Sequence, residues 1–286
     1  APSLIQGEGT HKIAYYQWGN PANKRVLFCV HGLTRNGRDF DYLAQTFFGA
    51  APPTYNIIAP DIVGRGKSDW LKNTAHYTVD TYIADLLALL DSRKITQVDW
   101  VGTSMGGIIG MQLAATRPNL IRKLILNDIG GVISAMGLQR INNYAGLQMT
   151  FSDRSTAETY LRSSFAPFGI TQEEHWQHML EHSFTQLSNG EYQLAYDPGI
   201  LEPMRDPAKK LANPVDIPLW SLWDAITCPT LVIRGETSDI LTAETLEEMV
   251  KRKPATTATL TIPNCGHAPA LMEASQTQFI RDWLLA

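Results

Sequence analysis

The chain alternates short, continuously apolar runs with longer segments in which apolar residues recur at helical spacing. Runs without polar alternation are typical of strands buried on both faces, so they predict a mostly parallel β-sheet. The predicted strands are 25–31, 55–61, 98–102, 122–128, 229–235 and 257–263, after an antiparallel start at 12–19. The predicted helices are 38–48, 79–92, 105–117, 242–252 and 270–285. This alternation predicts an α/β fold with a doubly wound, mostly parallel sheet.

The alternation of predicted strands and helices is interrupted once. Residues 131–225 instead show helical patterns separated by turns that Pro and Gly mark. An insertion between two strands of such a sheet projects near the carboxyl ends of the strands, where ligands bind in α/β folds. We therefore predict a core formed by residues 1–130 and 226–286, with residues 131–225 as a helical cap.

A serine lies between two glycines where a predicted strand passes into a helix. Gly102, Ser104 and Gly106 match the pattern G-x-S-x-G of a nucleophile elbow, a sharp turn that leaves no room for side chains beside the serine. The pattern is short, and its position between a strand and a helix is what gives it weight. Ser104 is therefore predicted to be a catalytic nucleophile.

A serine nucleophile needs a histidine base that a carboxylate orients. His267 follows the last predicted strand and so lies at the same edge of the sheet as Ser104. Asp239 follows the strand 229–235 and gives the chain order serine, acid, histidine. Asp128, at the end of the strand 122–128, is the alternative acid. We favour Asp239 because it lies on a loop.

Acyl transfer also needs two amides that bind an oxyanion. The amide of Met105, at the start of the helix after Ser104, is one candidate. The second should come from the loop after the first parallel strand, where His31 and Gly32 permit a tight turn that aims the amide of Leu33 at the site. His31 itself is interpreted as a side chain that braces this loop.

Five segments in this order, VHGLT, DIVGRGKSDW, GTSMGG, RGETSDIL and GHAP, resemble the α/β-hydrolase superfamily, in its serine-nucleophile branch with a helical cap. The resemblance implies a carboxylesterase-like enzyme that cleaves a small or medium, largely apolar ester, thioester or lactone through an acyl-enzyme and needs no cofactor. It also implies that Asp61 and residues 64–66 form a structural loop near the site.

Other branches of the superfamily fit the sequence less well. Haloalkane dehalogenases and epoxide hydrolases have an aspartate where this chain has Ser104. Carbon–carbon bond hydrolases of meta-cleavage pathways stay open as an alternative, although they commonly have an aromatic residue where Ala268 follows the histidine. A third hypothesis is a ligand receptor built on the same fold, because a fold does not determine function.

The predicted cap contains two further groups of candidates. Trp220 and Trp223 precede the return of the chain to the core and are predicted to line the substrate pocket. His175, His178 and His182 lie on one face of a predicted helix, which we interpret as a solvated polar face. No metal site is predicted.

Composition narrows the classes of partner. The formal net charge is −4 and no basic run exceeds the triplet 251–253, so neither nucleic acid nor an anionic membrane surface is indicated. The chain has no apolar run of membrane-spanning length, and its first residues lack the features of a signal peptide. We expect a cytoplasmic protein with a small-molecule substrate and three free thiols. The oligomeric state, and a segment removed before Ala1, stay open.

Overall fold

The computed structural model describes residues 9–48, 55–145, 149–204 and 215–286. The strands are β1 (Tyr15–Gly19), β2 (Val26–Val30), β3 (Asn56–Pro60), β4 (Val98–Thr103), β5 (Ile121–Asn127), β6 (Val132–Ile133), β7 (Thr150–Phe151), β8 (Phe184–Gln186), β9 (Tyr192–Leu194), β10 (Ile217–Pro218), β11 (Thr230–Gly235) and β12 (Thr257–Ile262). The helices are α1 (Asp41–Thr46), α2 (Val79–Ser92), α3 (Met105–Thr116), α4 (Ala135–Tyr144), α5 (Arg154–Ser164), α6 (Glu173–Ser183), α7 (Trp220–Ala225), α8 (Ala243–Arg252) and α9 (Ala274–Leu285).

A seven-stranded sheet forms the centre of the described chain, in the order β1-β3-β2-β4-β5-β11-β12. β1 pairs antiparallel with β3, and the other neighbouring strands are parallel. The α/β class with a mostly parallel sheet is therefore confirmed, as is its antiparallel start. Because parallel strands end at one edge, the segments that follow β2, β4, β5, β11 and β12 all emerge there.

Both faces of the sheet are covered by helices. Alternate residues of β2 point to opposite sides, so that Phe28 packs in one apolar cluster and Leu27 in the other. The first cluster includes side chains from α2, α3, α7 and α8, and the second includes side chains from α1 and α9. Burial on both sides explains why the core strands lack polar alternation.

The segment 131–225 leaves the sheet after β5 and returns at β11, and these two strands are direct neighbours. Its residues 146–148 and 205–214 lie outside the described residues. β6 pairs with β10 where the segment leaves and returns, and β7, β9 and β8 form a small antiparallel sheet. The sequence predicted only helices here, because strands of two or three residues are too short to show a period.

Cys29, Cys228 and Cys265 are buried free thiols. None of the helices in the described ranges combines the length and the apolarity needed to span a bilayer.

Candidate active site

Ser104 occupies a strained turn between β4 and α3, with φ 51° and ψ −112°. A Cβ at Gly102 would lie 2.3 Å from the carbonyl oxygen of Gly106, and a Cβ at Gly106 would lie 2.0 Å from the carbonyl oxygen of Val30. Both glycines are therefore required by close backbone contacts. The turn presents the serine hydroxyl at the carboxyl edge of the sheet, as the nucleophile-elbow pattern predicts.

The structure brings Ser104 and His267 together. His267 lies on the loop after β12, and its Nε2 is 2.9 Å from Oγ of Ser104. Its Nδ1 is 2.7 Å from Oδ2 of Asp128. His267 is 6% exposed, so this chain of polar atoms is largely shielded from bulk water. A hydroxyl, an imidazole and a carboxylate thus lie in hydrogen-bonded sequence.

Asp128 follows β5 directly and is fully buried. Its backbone has a φ of 60°, a conformation that residues other than glycine adopt infrequently. Oδ1 accepts a hydrogen bond of 2.9 Å from the amide of Gly235, and Oδ2 accepts one of 2.6 Å from the hydroxyl of Ser238. These two donors hold the carboxylate in place, with Oδ2 directed at Nδ1 of His267.

The structure corrects our choice of acid, because Nδ1 of His267 is hydrogen-bonded to Asp128 and not to Asp239. Its two carboxylate oxygens accept hydrogen bonds from Nε and Nη2 of Arg140 in α4. Partial burial raises the pKa of Asp239, but the hydrogen bonds and charge of Arg140 outweigh this effect and lower it. The loop after β11 instead turns the preceding residue, Ser238, toward Asp128. The alternative acid is therefore the one that contacts the imidazole.

The loop after β2 holds the peptide group between Gly32 and Leu33 in a fixed orientation. The carbonyl oxygen of Gly32 accepts hydrogen bonds from Nδ1 of His31, at 2.7 Å, and from the amide of Arg35, at 3.2 Å. Nε2 of His31 accepts a hydrogen bond from the amide of Ile62, which fixes the tautomer. Burial lowers the pKa of His31 to about 3, so the ring is neutral.

A trans peptide directs its N–H away from its C=O, so the amide of Leu33 points away from His31. No acceptor in the described part of the chain receives a hydrogen bond from this amide. Met105 is the first residue of α3, and its amide therefore has no acceptor within the helix. Both amides belong to residues that line the space around Ser104.

Two cavities meet at Ser104. The larger has a volume of about 330 Å³, and apolar side chains dominate its lining. The smaller, of about 50 Å³, lies beside His267 and also contains Arg35 and Asp39. Leu33, Ser104 and Ile141 line both cavities. The serine hydroxyl is therefore accessible from an apolar side and from a more polar side, and a bound molecule can extend in both directions.

The two tryptophans predicted to line the pocket lie elsewhere. Trp223 is fully buried among core side chains, and its indole N–H donates to the carbonyl oxygen of Met249. The ring of Trp220 lies against Gly131 and beneath the guanidinium of Arg252. Neither tryptophan lines either cavity at Ser104 in the described residues. α7 packs against α3, so its aromatic face contributes to the core.

The histidine face of α6 is not solvated, contrary to our interpretation. His175 is 2% exposed, and its ring packs edge-on against Tyr42. Ligand atoms of Asp41, His178 and His182 lie within 4.8 Å of one another. However, Arg38 donates hydrogen bonds to both carboxylate oxygens of Asp41, so its guanidinium already occupies the position beside this carboxylate that a metal ion would need. Burial and the charge of Arg38 lower the pKa of His182 to about 4. The cluster is therefore better described as a packing contact than as a metal site.

Comparison with known proteins identifies the family of the chain. The family model described as alpha/beta hydrolase fold matches residues 25–274, which is most of the chain. The chain belongs to the α/β-hydrolase family. The hydrolase is 39% identical over 275 residues to the 3-hydroxybutyrate-oligomer hydrolase of Cupriavidus necator, with 95% of this chain and 92% of the relative covered.

Solved structures agree with this assignment. The hydrolase resembles a putative hydrolase from Rickettsia typhi with a TM-score of 0.88 and 39% identity, covering 96% of this chain and 91% of that chain. It resembles an alpha/beta hydrolase from Novosphingobium aromaticivorans with a TM-score of 0.83 and 32% identity, covering 96% and 98%. Together with the relative from Cupriavidus, these matches identify the protein as an enzyme of the carboxylic-ester hydrolase type.

Proposed function

We propose that the hydrolase cleaves carboxylic esters through an acyl-enzyme formed on Ser104. The observation that carries the proposal is the hydrogen-bonded series from Ser104 through His267 to Asp128. In the first step, His267 takes the proton of the Ser104 hydroxyl as the oxygen attacks the acyl carbon. Asp128 holds the imidazole in the reactive tautomer and stabilises its positive charge. His267 then passes the proton to the leaving alcohol.

The negative oxygen of the tetrahedral intermediate is bound by the amides of Leu33 and Met105 in this mechanism. The bracing of Gly32 by His31 supports this role for Leu33, because the peptide is oriented before substrate binds. Preorganised donors of this kind stabilise the transition state without reorganisation, and each contributes on the order of 10² to 10³ in kcat. In the second half of the reaction, His267 activates a water molecule that releases the acid and restores Ser104.

The two cavities suggest where each half of the ester binds. Because His267 must protonate the alcohol, the alcohol belongs in the smaller cavity, which His267 lines. The acyl group then occupies the apolar cavity of about 330 Å³ on the side of Met105. Such a cavity favours a small or medium, largely apolar acyl group. The segment 131–225 supplies Ile133, Leu138 and Ile141 to this cavity, which supports its role as a cap.

The relative from Cupriavidus suggests a more specific substrate. Its name describes hydrolysis of 3-hydroxybutyrate oligomers, in which ester bonds join short hydroxy acids. We propose esters of short hydroxyalkanoic acids as the physiological class, with a small-molecule substrate and no cofactor. Dimeric and trimeric 3-hydroxybutyrate should then be hydrolysed with a higher kcat/KM than a 4-nitrophenyl alkanoate of similar length.

The mechanism is tested by the Ser104→Ala variant with 4-nitrophenyl butyrate in a stopped-flow experiment. The wild type should release a burst of 4-nitrophenol followed by repeated turnover, and the variant should show neither. Ser188→Ala, at an exposed position, is the matched control and should behave like the wild type. A burst that survives in Ser104→Ala would refute the acyl-enzyme on Ser104. Release limited to one equivalent by the wild type would indicate a ligand receptor.

A further inference from the structure

Arg65 is a fully buried arginine that the proposed mechanism does not use. Its Nε donates a hydrogen bond of 2.9 Å to the carbonyl oxygen of Leu33, and its Nη1 donates one of 2.7 Å to that of Val63. Its Nη2 lies 3.7 Å from the sulfur of Met105. The guanidinium therefore contacts both residues whose amides form the proposed oxyanion site.

No carboxylate in the described ranges forms an ion pair with Arg65. The guanidinium carbon instead lies 4.7 Å from the ring centroid of Tyr82 and 5.7 Å from that of Tyr77. Asp197 approaches the same aromatic group, but its oxygens accept from the hydroxyl of Tyr77 and the amide of Gly199. The guanidinium of Arg65 thus faces backbone carbonyl oxygens, the sulfur of Met105 and the side chains of Tyr77 and Tyr82, and Tyr82 also forms a hydrogen bond with it.

Burying an unpaired charge is costly, because carbonyl and aromatic contacts replace only part of the lost hydration. A position that merely filled space would be occupied at lower cost by an apolar side chain. The low-dielectric surroundings also strengthen the attraction between this cation and any negative charge that develops nearby. The proposed reaction places such a charge between the amides of Leu33 and Met105.

We propose that Arg65 is a positioning residue that lies behind the oxyanion site and stabilises the tetrahedral intermediate through its charge, while its bond to Leu33 fixes the loop. The inference rests on the proposed function. Arg65 lines neither of the two cavities at Ser104 in the described structure. Its loss should therefore lower kcat, and the binding of analogues that carry the oxyanion charge, with little change in KM.

The test compares Arg65→Gln, which removes the charge but keeps an N–H donor, with Arg65→Lys, which keeps the charge. The probes are kcat and KM for 4-nitrophenyl butyrate and the affinity for butylboronic acid, which forms a tetrahedral anion on a serine. We expect Arg65→Gln to lower kcat and boronate affinity by about 10- to 100-fold. Arg65→Lys should stay within about threefold of the wild type, and KM should change little in both variants.

Arg122→Met is the control for loss of stability, because Arg122 pairs with buried Asp99 near the amino ends of β4 and β5, away from Ser104. It should lower Tm without weakening boronate binding. Equal boronate affinity in Arg65→Gln and the wild type, or an equal loss in the Gln and Lys variants, would overturn the proposal. If Arg65→Gln does not fold, the test rests on Arg65→Lys. A loss of boronate affinity above tenfold in that variant would contradict a role for the charge. Failure of the proposed function is distinguishable, because it is read from the burst in Ser104→Ala.

Discussion

Replacement of Asp128 by asparagine should be far more damaging than the same change at Asp239. Asp128 lies 2.7 Å from Nδ1 of His267, whereas Asp239 is paired with Arg140. In the proposed mechanism, an imidazolium forms beside the Asp128 carboxylate when His267 takes the serine proton. The asparagine side chain of the Asp128→Asn variant would carry no charge. Its N–H group could also donate to Nδ1 and so favour the unreactive tautomer of the ring.

The size of the effect follows from the geometry. With atoms in contact at 2.7 Å, the centres of the ring and the carboxylate are about 4 Å apart. At an effective dielectric constant of about 20, this separation corresponds to an attraction of about 4 kcal/mol. Since about 1.4 kcal/mol changes a rate tenfold, kcat should fall by about 10³ from the loss of charge alone. The unreactive tautomer adds to this effect, so we expect a total loss of between about 10³ and 10⁴.

The assay is steady-state hydrolysis of 4-nitrophenyl butyrate, with active sites counted by a serine-reactive fluorophosphonate. Asp239→Asn is the matched control and should change kcat by less than about threefold, because it breaks a half-exposed ion pair. Circular dichroism should show that both variants are folded. The reasoning would be refuted by a similar loss in the two variants, or by Asp128→Asn keeping more than a tenth of the wild-type kcat.

Three further predictions test the elbow, the acyl cavity and the cap. Gly106→Ala should lower the Tm in a fluorimetric thermal scan by about 2–12 °C, because its Cβ would lie 2.0 Å from the Val30 carbonyl oxygen and overpacking costs about 1–3 kcal/mol. Gly32→Ala, with its nearest neighbours at 3.8 Å, should keep its Tm in the same fluorimetric scan. Ile108→Phe should narrow the apolar cavity and lower kcat/KM for a hexanoate ester at least about tenfold relative to an acetate ester, and equal losses would contradict the acyl assignment. Burial lowers the pKa of His182 to about 4, so stability is lost as pH falls from about 6.5 toward 4. His182→Gln should reduce this loss by about 1–2 kcal/mol after discounting for solvent screening, as urea unfolding at pH 7 and 4.5 would show.

The sequence predicted the sheet and the elbow because the underlying causes are local. Continuous burial of a strand is visible as a continuous apolar run, and the steric demands around Ser104 are met by glycines within two residues of it. His267 was predictable for a related reason, since it follows the last strand and must emerge at the same edge of the sheet. These inferences need only chain order and the geometry of parallel strands.

The choice between two acids depended on information that is not local. Asp128 and Asp239 both follow strands that end at the active edge, and β5 and β11 are adjacent. In the structure, Asp128 has a φ of 60° and its carboxylate lies at Nδ1 of His267, whereas the carboxylate of Asp239 is paired with Arg140. The sequence signal that favoured Asp128 was its position at the end of an apolar strand, directly before Ile129.

The segment 131–225 was the least predictable part for a similar reason. An amphipathic helix shows in its sequence that one face is buried, but not against which neighbour. Trp223 therefore packs in the core and not in a pocket, and His175 packs against Tyr42 and not in solvent. Such contacts depend on how separate elements dock, which periodicity does not encode.

The hydrogen bonds around Asp128 connect the two places where the segment 131–225 joins the sheet. Asp128 lies where the segment 131–225 departs, and its donors Gly235 and Ser238 lie just after the segment returns. The carboxylate of Asp128 thus joins the end of β5 to the loop after β11 without using any residue of the segment 131–225. We expect that substitutions within that segment change the preferred substrate while the spacing of Ser104 and His267 is kept.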